Sequence, residues 1–345
     1  MNIMAISNPI NQFSDKTALV TGANSGLGFE AAAQLAEAGY SRVILACRTL
    51  DKAEAAKQAL AERVGIDPFE TLEVDVSSVE SANAAGDELV RRGRSIDTLL
   101  LNAGMISGDE MKKSPDGLEV AFASSIVGHH VLTLRLVEAD ILPKDARVVI
   151  AGSESANNDV PAMMDMSLYD FATEAPQEFG DTLHQAMITF AKGDKPELFN
   201  PTRYYATTKV FTSWWTAAMA RRFGERLAIF TVSPGANLRT NAARHTTGFK
   251  NFLFTKVMPT LAPVMGMGQP ISRGAKRYID VLHGEDGEYA NGKTYASKAK
   301  KFVGPLHEMQ HAHLLDVDRQ EVAWNVLSEL TGTAEHQASH NVAAQ

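Results

Sequence analysis

Tyr205 and Lys209 stand four residues apart in a stretch with helical apolar spacing, so both side chains leave one helix face and can meet the same ligand. A phenol ordinarily titrates near ~10. A neighbouring ammonium and the positive charge of an oxidised nicotinamide favour the tyrosinate and bring it toward working pH, where it can give or take a proton. Ser153, at the end of a short β-branched run, can hydrogen-bond a substrate oxygen as charge develops on it. Taken alone, a Tyr/Lys pair at this spacing is more often a chance couple on a helix surface. The adjacent Tyr204 has Thr208 four residues on, so the chemistry falls to Tyr205.

The segment Thr21-Gly22-Ala23-Asn24-Ser25-Gly26-Leu27-Gly28 joins the strand-like run Lys-Thr-Ala-Leu-Val to an alanine-rich helical pattern. There a dinucleotide pyrophosphate can approach backbone N–H groups and the positive end of a helix dipole, an approach that side chains at the glycines would block. Glycine spacing of this kind also serves ordinary tight turns. About 20 residues further on, where an NAD-preferring site places a carboxylate on the ribose 2′-hydroxyl, the second strand ends in Ala46-Cys47-Arg48-Thr49. Arg48 offers charge-assisted hydrogen bonds to a 2′-phosphate, so NADP (NADPH) is expected over NAD; the plainer reading is a solvated arginine at a strand end.

Such residues work only if a frame gathers strand ends. From Lys16 to about Pro234, short apolar runs alternate with helical patterns, which predicts right-handed βαβ crossovers and a doubly wound α/β domain of Rossmann type. The expected strands are Thr17 to Thr21, Arg42 to Ala46, Thr71 to Val74, Thr98 to Leu101, Arg147 to Ala151, Leu227 to Val232 and Lys293 to Ala296, seven in a mostly parallel sheet. Expected helices are Leu27 to Ala38, Asp51 to Val64, Val79 to Arg92, Asp116 to Ala139, Arg203 to Phe223, Ile271 to Leu282 and Leu315 to Leu330. The whole chain, 1–345, reads as one domain, with an insertion at 156–201, a mobile substrate lid at 247–270 and a flexible tail at 332–345. Met163, Met164, Met166, Phe171 and Phe179 of the insertion either wall an apolar substrate pocket or form its own small core.

The formal charge of −8 argues against a general nucleic-acid or anionic-membrane surface. A single cysteine, Cys47, permits no internal disulfide or cysteine zinc cluster and suits a reducing compartment, with the cytoplasm as default. No basic-then-apolar leader or window of roughly 18 apolar residues stands out. His307-Glu308-Met309-Gln310-His311 formally matches the zinc motif HExxH, but His313 is too close to be the usual third ligand and Glu321 or Glu329 would be a guess, so no metal is expected. Trp214 and Trp215 follow Lys209, and either both enter the core or one serves a subunit contact.

In order along the chain, Gly22-x3-Gly26-x-Gly28, Asp75-Val76, Asn102-Ala103-Gly104, Ser153, Tyr205-x3-Lys209 and Pro234-Gly235 resemble the short-chain dehydrogenase/reductase family, from about Lys16 to Thr240. Leu-Ala-Cys-Arg-Thr and Asn-Ser-Gly-Leu-Gly look most like its NADPH-using retinol dehydrogenase and protochlorophyllide reductase branch. The resemblance implies that Gly22, Asn24, Ser25, Gly26, Leu27, Gly28 and Arg48 bind the cofactor, that Asp75 meets the adenine amine with Val76 beside its ring, and that Asn102, Ala103 and Gly104 pass the ribose. It implies that Pro234-Gly235 opens a loop beside the nicotinamide and that Ser153, Tyr205 and Lys209 are catalytic.

Two positions depart from the pattern. The family's threonine five residues after the proline is here Arg239, with Thr240 one place late and expected to make the cofactor contact through a local bulge; the family's asparagine, whose main-chain carbonyl holds a relay water for the lysine, is here Ser125, which the resemblance makes the fourth catalytic position. The expectation is an NADPH-dependent oxidoreductase reducing a ketone or aldehyde of an apolar small molecule, or running the reverse, as a possible homodimer or homotetramer. The alternatives are a reductase of an activated carbon–carbon double bond and a catalytically weak NADP-binding regulator.

Overall fold

The computed structural model describes residues 13–159, 166–237, 268–285 and 287–333. Among them eight strands form one sheet: β1 (Thr17–Thr21), β2 (Arg42–Cys47), β3 (Phe69–Glu73), β4 (Thr98–Leu101), β5 (Ala146–Ala151), β6 (Leu227–Val232), β7 (Thr294–Ala296) and β8 (His307–Glu308). Their order is β3-β2-β1-β4-β5-β6-β7-β8. The first seven run parallel, and β8 pairs antiparallel to β7. The order reverses between β1 and β4, which opens a crevice at the carboxyl ends of the strands, where all the motif residues fall.

The continuous apolar runs are explained by burial on both faces. Alternate residues of β1 serve opposite cores: Leu19 packs with the helices at Gly128–Glu138, Pro201–Phe223 and Val317–Thr331, while Ala18 and Val20 pack with those at Gly26–Glu37, Leu50–Val64 and Ile271–Leu282. Thr49 and Ser78 cap two helices through their side chains, and Gly65 and Gly93 end those helices in the left-handed conformation.

Three expectations change, and the two readings of the tryptophans resolve to one. The eighth strand is new, and it is made of His307 and Glu308, which pair with Ala296 and Tyr295; since His311 only leads into the helix Ala312–Leu315, HExxH is not on one helix and cannot present two zinc ligands from one face. The expected helix from Asp116 begins at Val120 and contains a π-helical turn, Ala123–Val127. This Val120–Glu138 stretch has the length and mean hydropathy (1.4) of a membrane span, yet 83% of it is buried in the protein. Trp214 and Trp215 are both buried, their indole N–H groups donating to the His313 carbonyl at 2.7 Å and to His130 Nδ1 at 3.0 Å, so neither is left for a subunit contact.

Of the insertion, Phe171 and Phe179 pack edge-on with Tyr169 and Phe190 in the core rather than walling a pocket, and Met166 packs against the same cluster. Met163, Met164, Arg239, Thr240 and nearly all of the expected lid lie outside the described residues.

Candidate active site

A cleft of about 480 Å³ runs along the carboxyl ends of the strands from Arg48 to Tyr205. Its lining includes Gly22, Asn24, Ser25, Gly26 and Leu27 at one side, Asp75, Val76, Asn102, Ala103 and Gly104 across the crevice, and Tyr205, Lys209, Pro234 and Gly235 at the far end.

The glycine loop is tight for a physical reason. A methyl on Gly28 would sit 2.4 Å from the Gly22 carbonyl oxygen and 2.6 Å from Asn102 Nδ2, and Gly22 itself has φ +68. Asn102 Nδ2 donates to the Thr21 carbonyl at 3.0 Å, and the Ala103 N–H donates to Thr21 Oγ1 at 3.0 Å, which locks the β4 end to the loop. Ser25 caps the Gly26–Glu37 helix without a side-chain hydrogen bond, and no carboxylate occupies the first turn. The helix therefore keeps its N-terminal N–H groups and positive end for an anion in the cleft, which fits a dinucleotide pyrophosphate.

At the other ribose position, Arg48 Nε lies 3.5 Å from Asp75 Oδ2, and the arginine is half exposed. Asp75 Oδ1 accepts from the Ser77 N–H at 3.0 Å and Ser77 Oγ at 2.7 Å, so its orientation is fixed by the turn into the next helix. Lys52 also lines this end of the cleft. It was not singled out from sequence, although a lysine in a helix first turn, where the dipole disfavours a cation, is a signal that an anion is expected nearby. Arg48 and Lys52 together fit a phosphate on the ribose.

At the reacting end, the Pro201–Phe223 helix presents Tyr205 and Lys209 to the cleft, with Lys209 Nζ 5.6 Å from the Tyr205 ring centre. Lys209 Nζ donates to the Ala151 carbonyl at 2.8 Å, at the end of β5. Burial lowers the Lys209 amine to about 8. Burial also raises the Tyr205 phenol; a hydrogen bond from Ser153 opposes that shift and the Glu154 carboxylate adds to it.

Ser153 Oγ accepts from the Ser155 N–H at 3.2 Å and from Ser155 Oγ at 2.9 Å, which uses both of its lone pairs. Its own proton is left to donate toward Tyr205 or a ligand oxygen. Behind it, Glu154 is buried in a network: Arg277 Nη1 at 3.0 Å, Ser297 Oγ at 3.0 Å and the Ser233 hydroxyl all donate to it.

Tyr278 and Asn237 also line the cleft and were missed by sequence reasoning, since they reach it only through folding and belong to no local motif. Asn237 Nδ2 donates to the carbonyls of Pro234 at 3.1 Å and Gly235 at 2.7 Å, which holds the Pro234-Gly235 turn in shape. Ser125 lies in the π-helical turn with its carbonyl oxygen 3.0 Å from His129 Nδ1. Thus Tyr205, Lys209, the glycine loop and the three strand-end motifs share one cleft, and Ser153 reaches it through its hydrogen bond to Tyr205.

A family model described as short chain dehydrogenase matches residues 16–184. Mouse retinol dehydrogenase 14 is 30% identical over 67% of this chain and 63% of its own length, so the chain spans under two thirds of that relative. The chloroplastic protochlorophyllide reductase of Chlamydomonas reinhardtii is 26% identical over 92% of this chain and 78% of its own. A crystal structure of a short chain dehydrogenase from Burkholderia cenocepacia in complex with NADP shares the fold at a TM-score of 0.55 and 20% identity, covering 82% of this chain and 96% of that one. With its motifs gathered in one cleft and these relatives on both sides of the branch, the chain belongs to the short-chain dehydrogenase/reductase family, among relatives of the retinol dehydrogenases and protochlorophyllide reductases.

Proposed function

We propose that this protein is an NADPH-dependent oxidoreductase that reduces a carbonyl of an apolar small molecule to the alcohol, or runs the reverse, with Tyr205 as general acid and base. The observation that carries this reading is that Lys209 and Tyr205, itself hydrogen-bonded to Ser153, line one end of the cleft whose other end holds Arg48 and Lys52.

A bound nicotinamide supplies or accepts the hydride. The chain's own groups do the rest. The glycine loop and the uncapped helix start bind the pyrophosphate, while Arg48 and Lys52 bind the 2′-phosphate and favour NADPH over NADH. Ser153, with its lone pairs filled by Ser155, donates to the substrate oxygen, and Tyr205 donates the proton that makes it a hydroxyl. The Lys209 ammonium favours the tyrosinate left behind. Ser153 stands just past the end of β5 and Tyr205 and Lys209 on the Pro201–Phe223 helix, and the apolar preference rests on the retinol dehydrogenase and protochlorophyllide reductase relatives named above.

Reduction of an activated carbon–carbon double bond is the second reading, favoured by the protochlorophyllide reductase match running over 92% of the chain. NADPH turnover with ketones, aldehydes and enones, followed by product identification, separates the two. An alcohol supports the first reading, a saturated carbonyl the second, and no Tyr205-dependent turnover with any of them goes against both.

A further inference from the structure

Tyr278 brings a second phenol to the cleft. It stands on the Ile271–Leu282 helix, is only 1% exposed and packs in the same core as Val20, Ala151 and Val232, yet it lines the cleft that Tyr205 lines. Its hydroxyl makes no hydrogen bond to any described residue. A buried phenol usually finds a partner for its O–H, and one that opens on a cleft without a partner is placed to meet a ligand atom.

The helix that carries it is held on two sides. Arg277 Nη1 donates to Glu154 Oε1 at 3.0 Å and to the Ser233 carbonyl at 3.1 Å, and Arg277 Nη2 donates to Ser297 Oγ at 2.8 Å and to the Gly304 carbonyl at 2.7 Å. Gln34 Nε2 donates to the Ser272 carbonyl at 3.0 Å, which joins the same helix to the one that follows the glycine loop. The Tyr278 backbone is therefore fixed while its hydroxyl is uncommitted. Burial raises this phenol well above its ordinary value, the charges of Tyr205 and Glu154 add to the shift and Arg277 opposes it, so the group stays protonated and can donate.

Arg277 backs on Gly235 and holds Glu154, the neighbour of Ser153, so Tyr278 stands at the reacting end of the cleft. It reaches that end from the opposite face of the sheet to Tyr205, because their helices belong to the two separate cores. On its side the polar side chain of Asn237 is engaged: Nδ2 donates to the carbonyls of Pro234 and Gly235, and Oδ1 is sealed from the cleft against Gly274. The Gly152 N–H donates to the Val232 carbonyl at 2.8 Å and the Gly235 N–H to Ser233 Oγ at 3.2 Å. Among these groups the Tyr278 hydroxyl is the donor left over.

We propose that Tyr278 is a cofactor-binding residue whose hydroxyl donates to the carboxamide oxygen of the nicotinamide and fixes the rotation of that ring opposite Tyr205. The inference rests on the proposed nicotinamide chemistry and adds a contact to it. With the adenosine at Arg48 and Lys52 and the pyrophosphate on the glycine loop, the nicotinamide lies at the end where both tyrosines stand. Its carboxamide oxygen is an acceptor in need of a donor, and Ser153 and Tyr205 are committed to the substrate oxygen. A ring free to turn about its glycosidic bond holds its reacting carbon out of place for part of the time, so one fixed hydrogen bond favours the reactive arrangement.

Calorimetric titration compares the wild type and Tyr278→Phe for three ligands: NADP, 2′-phospho-ADP-ribose, which is NADP without the nicotinamide, and thionicotinamide-NADP, whose sulfur accepts a hydrogen bond poorly. A melting curve accompanies each protein. Tyr278→Phe weakens NADP about fivefold to tenfold, leaves 2′-phospho-ADP-ribose unchanged and weakens the thio analogue about twofold or less. The melting temperature stays equal or rises, because the substitution removes a hydroxyl that has no partner in the protein. Unchanged NADP affinity overturns the proposal, and so does an equal loss for NADP and either of the other two ligands. If the wild type binds none of the three, the cofactor reading has failed and takes the proposal with it; if it binds them and the substitution alters none, only the role of Tyr278 has failed.

Discussion

Lys209 Nζ donates to the Ala151 carbonyl at 2.8 Å, which anchors the catalytic helix to the end of β5 one step before Gly152 and Ser153. The bond fixes the amine in a dry place, and the consequence is a lowered affinity for its proton: the ammonium is lost as pH rises through about 8 rather than 10.5. Reduction needs Tyr205 protonated and Lys209 charged. The rate of carbonyl reduction is therefore flat below about pH 8 and falls above it, as a pH profile of kcat shows. A reductive rate that climbs steadily from pH 7 to 10 contradicts this placement of Lys209.

Glu154 lies next to Ser153, raises Tyr205 by its charge, and is paired in the interior with Arg277 at 3.0 Å, both side chains under a tenth exposed. Glu154→Gln keeps the shape and removes the charge. The Tyr205 titration then moves to lower pH, so the rise of alcohol oxidation with pH begins at lower pH. Leaving Arg277 buried without its counter-charge also destabilises the fold by about 3 kcal/mol, read from urea unfolding. An unchanged pH profile would remove Glu154 from the electrostatics of the site.

Arg48 and Lys52 are the two cations at the adenosine end, and Arg48 is also paired with Asp75 across the cleft mouth. Arg48→Ala weakens NADPH by about tenfold or more and NADH little, because the charge-assisted bonds to the 2′-phosphate are worth about 1.5–3 kcal/mol. Lys52→Ala acts in the same direction with a smaller effect, since a point-charge ammonium lacks the arginine fork. Equal losses for both cofactors, measured by fluorescence titration, would count against a phosphate site here.

Two glycines of the loop separate crowding from backbone strain. At Gly28 a methyl collides with the Gly22 carbonyl at 2.4 Å, so Gly28→Ala forces the loop apart and abolishes cofactor binding. At Gly26 a methyl meets nothing within 4 Å and only the left-handed φ of +59 is strained, so Gly26→Ala costs about 1 kcal/mol and leaves measurable binding. Similar binding losses in the two variants would mean that the loop tolerates neither change for a shared reason.

His129 and His130 are fully buried, with burial lowering them to about 4 and about 3 from an ordinary 6.5. Folded-state values below the unfolded one mean that their neutral forms contribute stability above pH 6.5, and that it is lost progressively as pH falls through 4 and toward 3. The urea midpoint therefore drops between pH 6.5 and 4, and His130→Phe flattens part of that drop. A midpoint constant over this range would place these rings in contact with water.

Most of the frame could be read from the chain because strands buried on both faces appear as unbroken apolar runs. Thr17–Thr21, Thr98–Leu101 and Leu227–Val232 carry such runs, broken only by buried threonines. β8 could not be read this way: His307-Glu308 has no apolar pattern and becomes a strand only because the edge of β7 is there to pair with. The π-helical turn at Ala123–Val127 was hidden because one extra residue per turn hardly disturbs the apolar spacing of a long buried helix.

Composition also could not say whether Phe171 and Phe179 face a pocket or a core, since both readings use the same side chains. In the cleft, residues belonging to ordered motifs were legible. Tyr278 was not, because its helix reaches the site from beyond a long intervening segment. Ser125 was visible as a departure from the family pattern, whereas its unpartnered hydroxyl and the hold of His129 on its carbonyl depend on the turn geometry that no spacing rule gives.

The central claim is that Tyr205 moves the proton in a nicotinamide-dependent reaction. The most direct test follows NADPH oxidation by nicotinamide fluorescence with a panel of apolar ketones and aldehydes, in the wild type and in Tyr205→Phe. The account predicts turnover in the wild type to the alcohol, a loss of at least about a hundredfold in the variant, and NADPH binding that is nearly the same in both. Turnover of the Tyr205→Phe protein at the wild-type rate would contradict it.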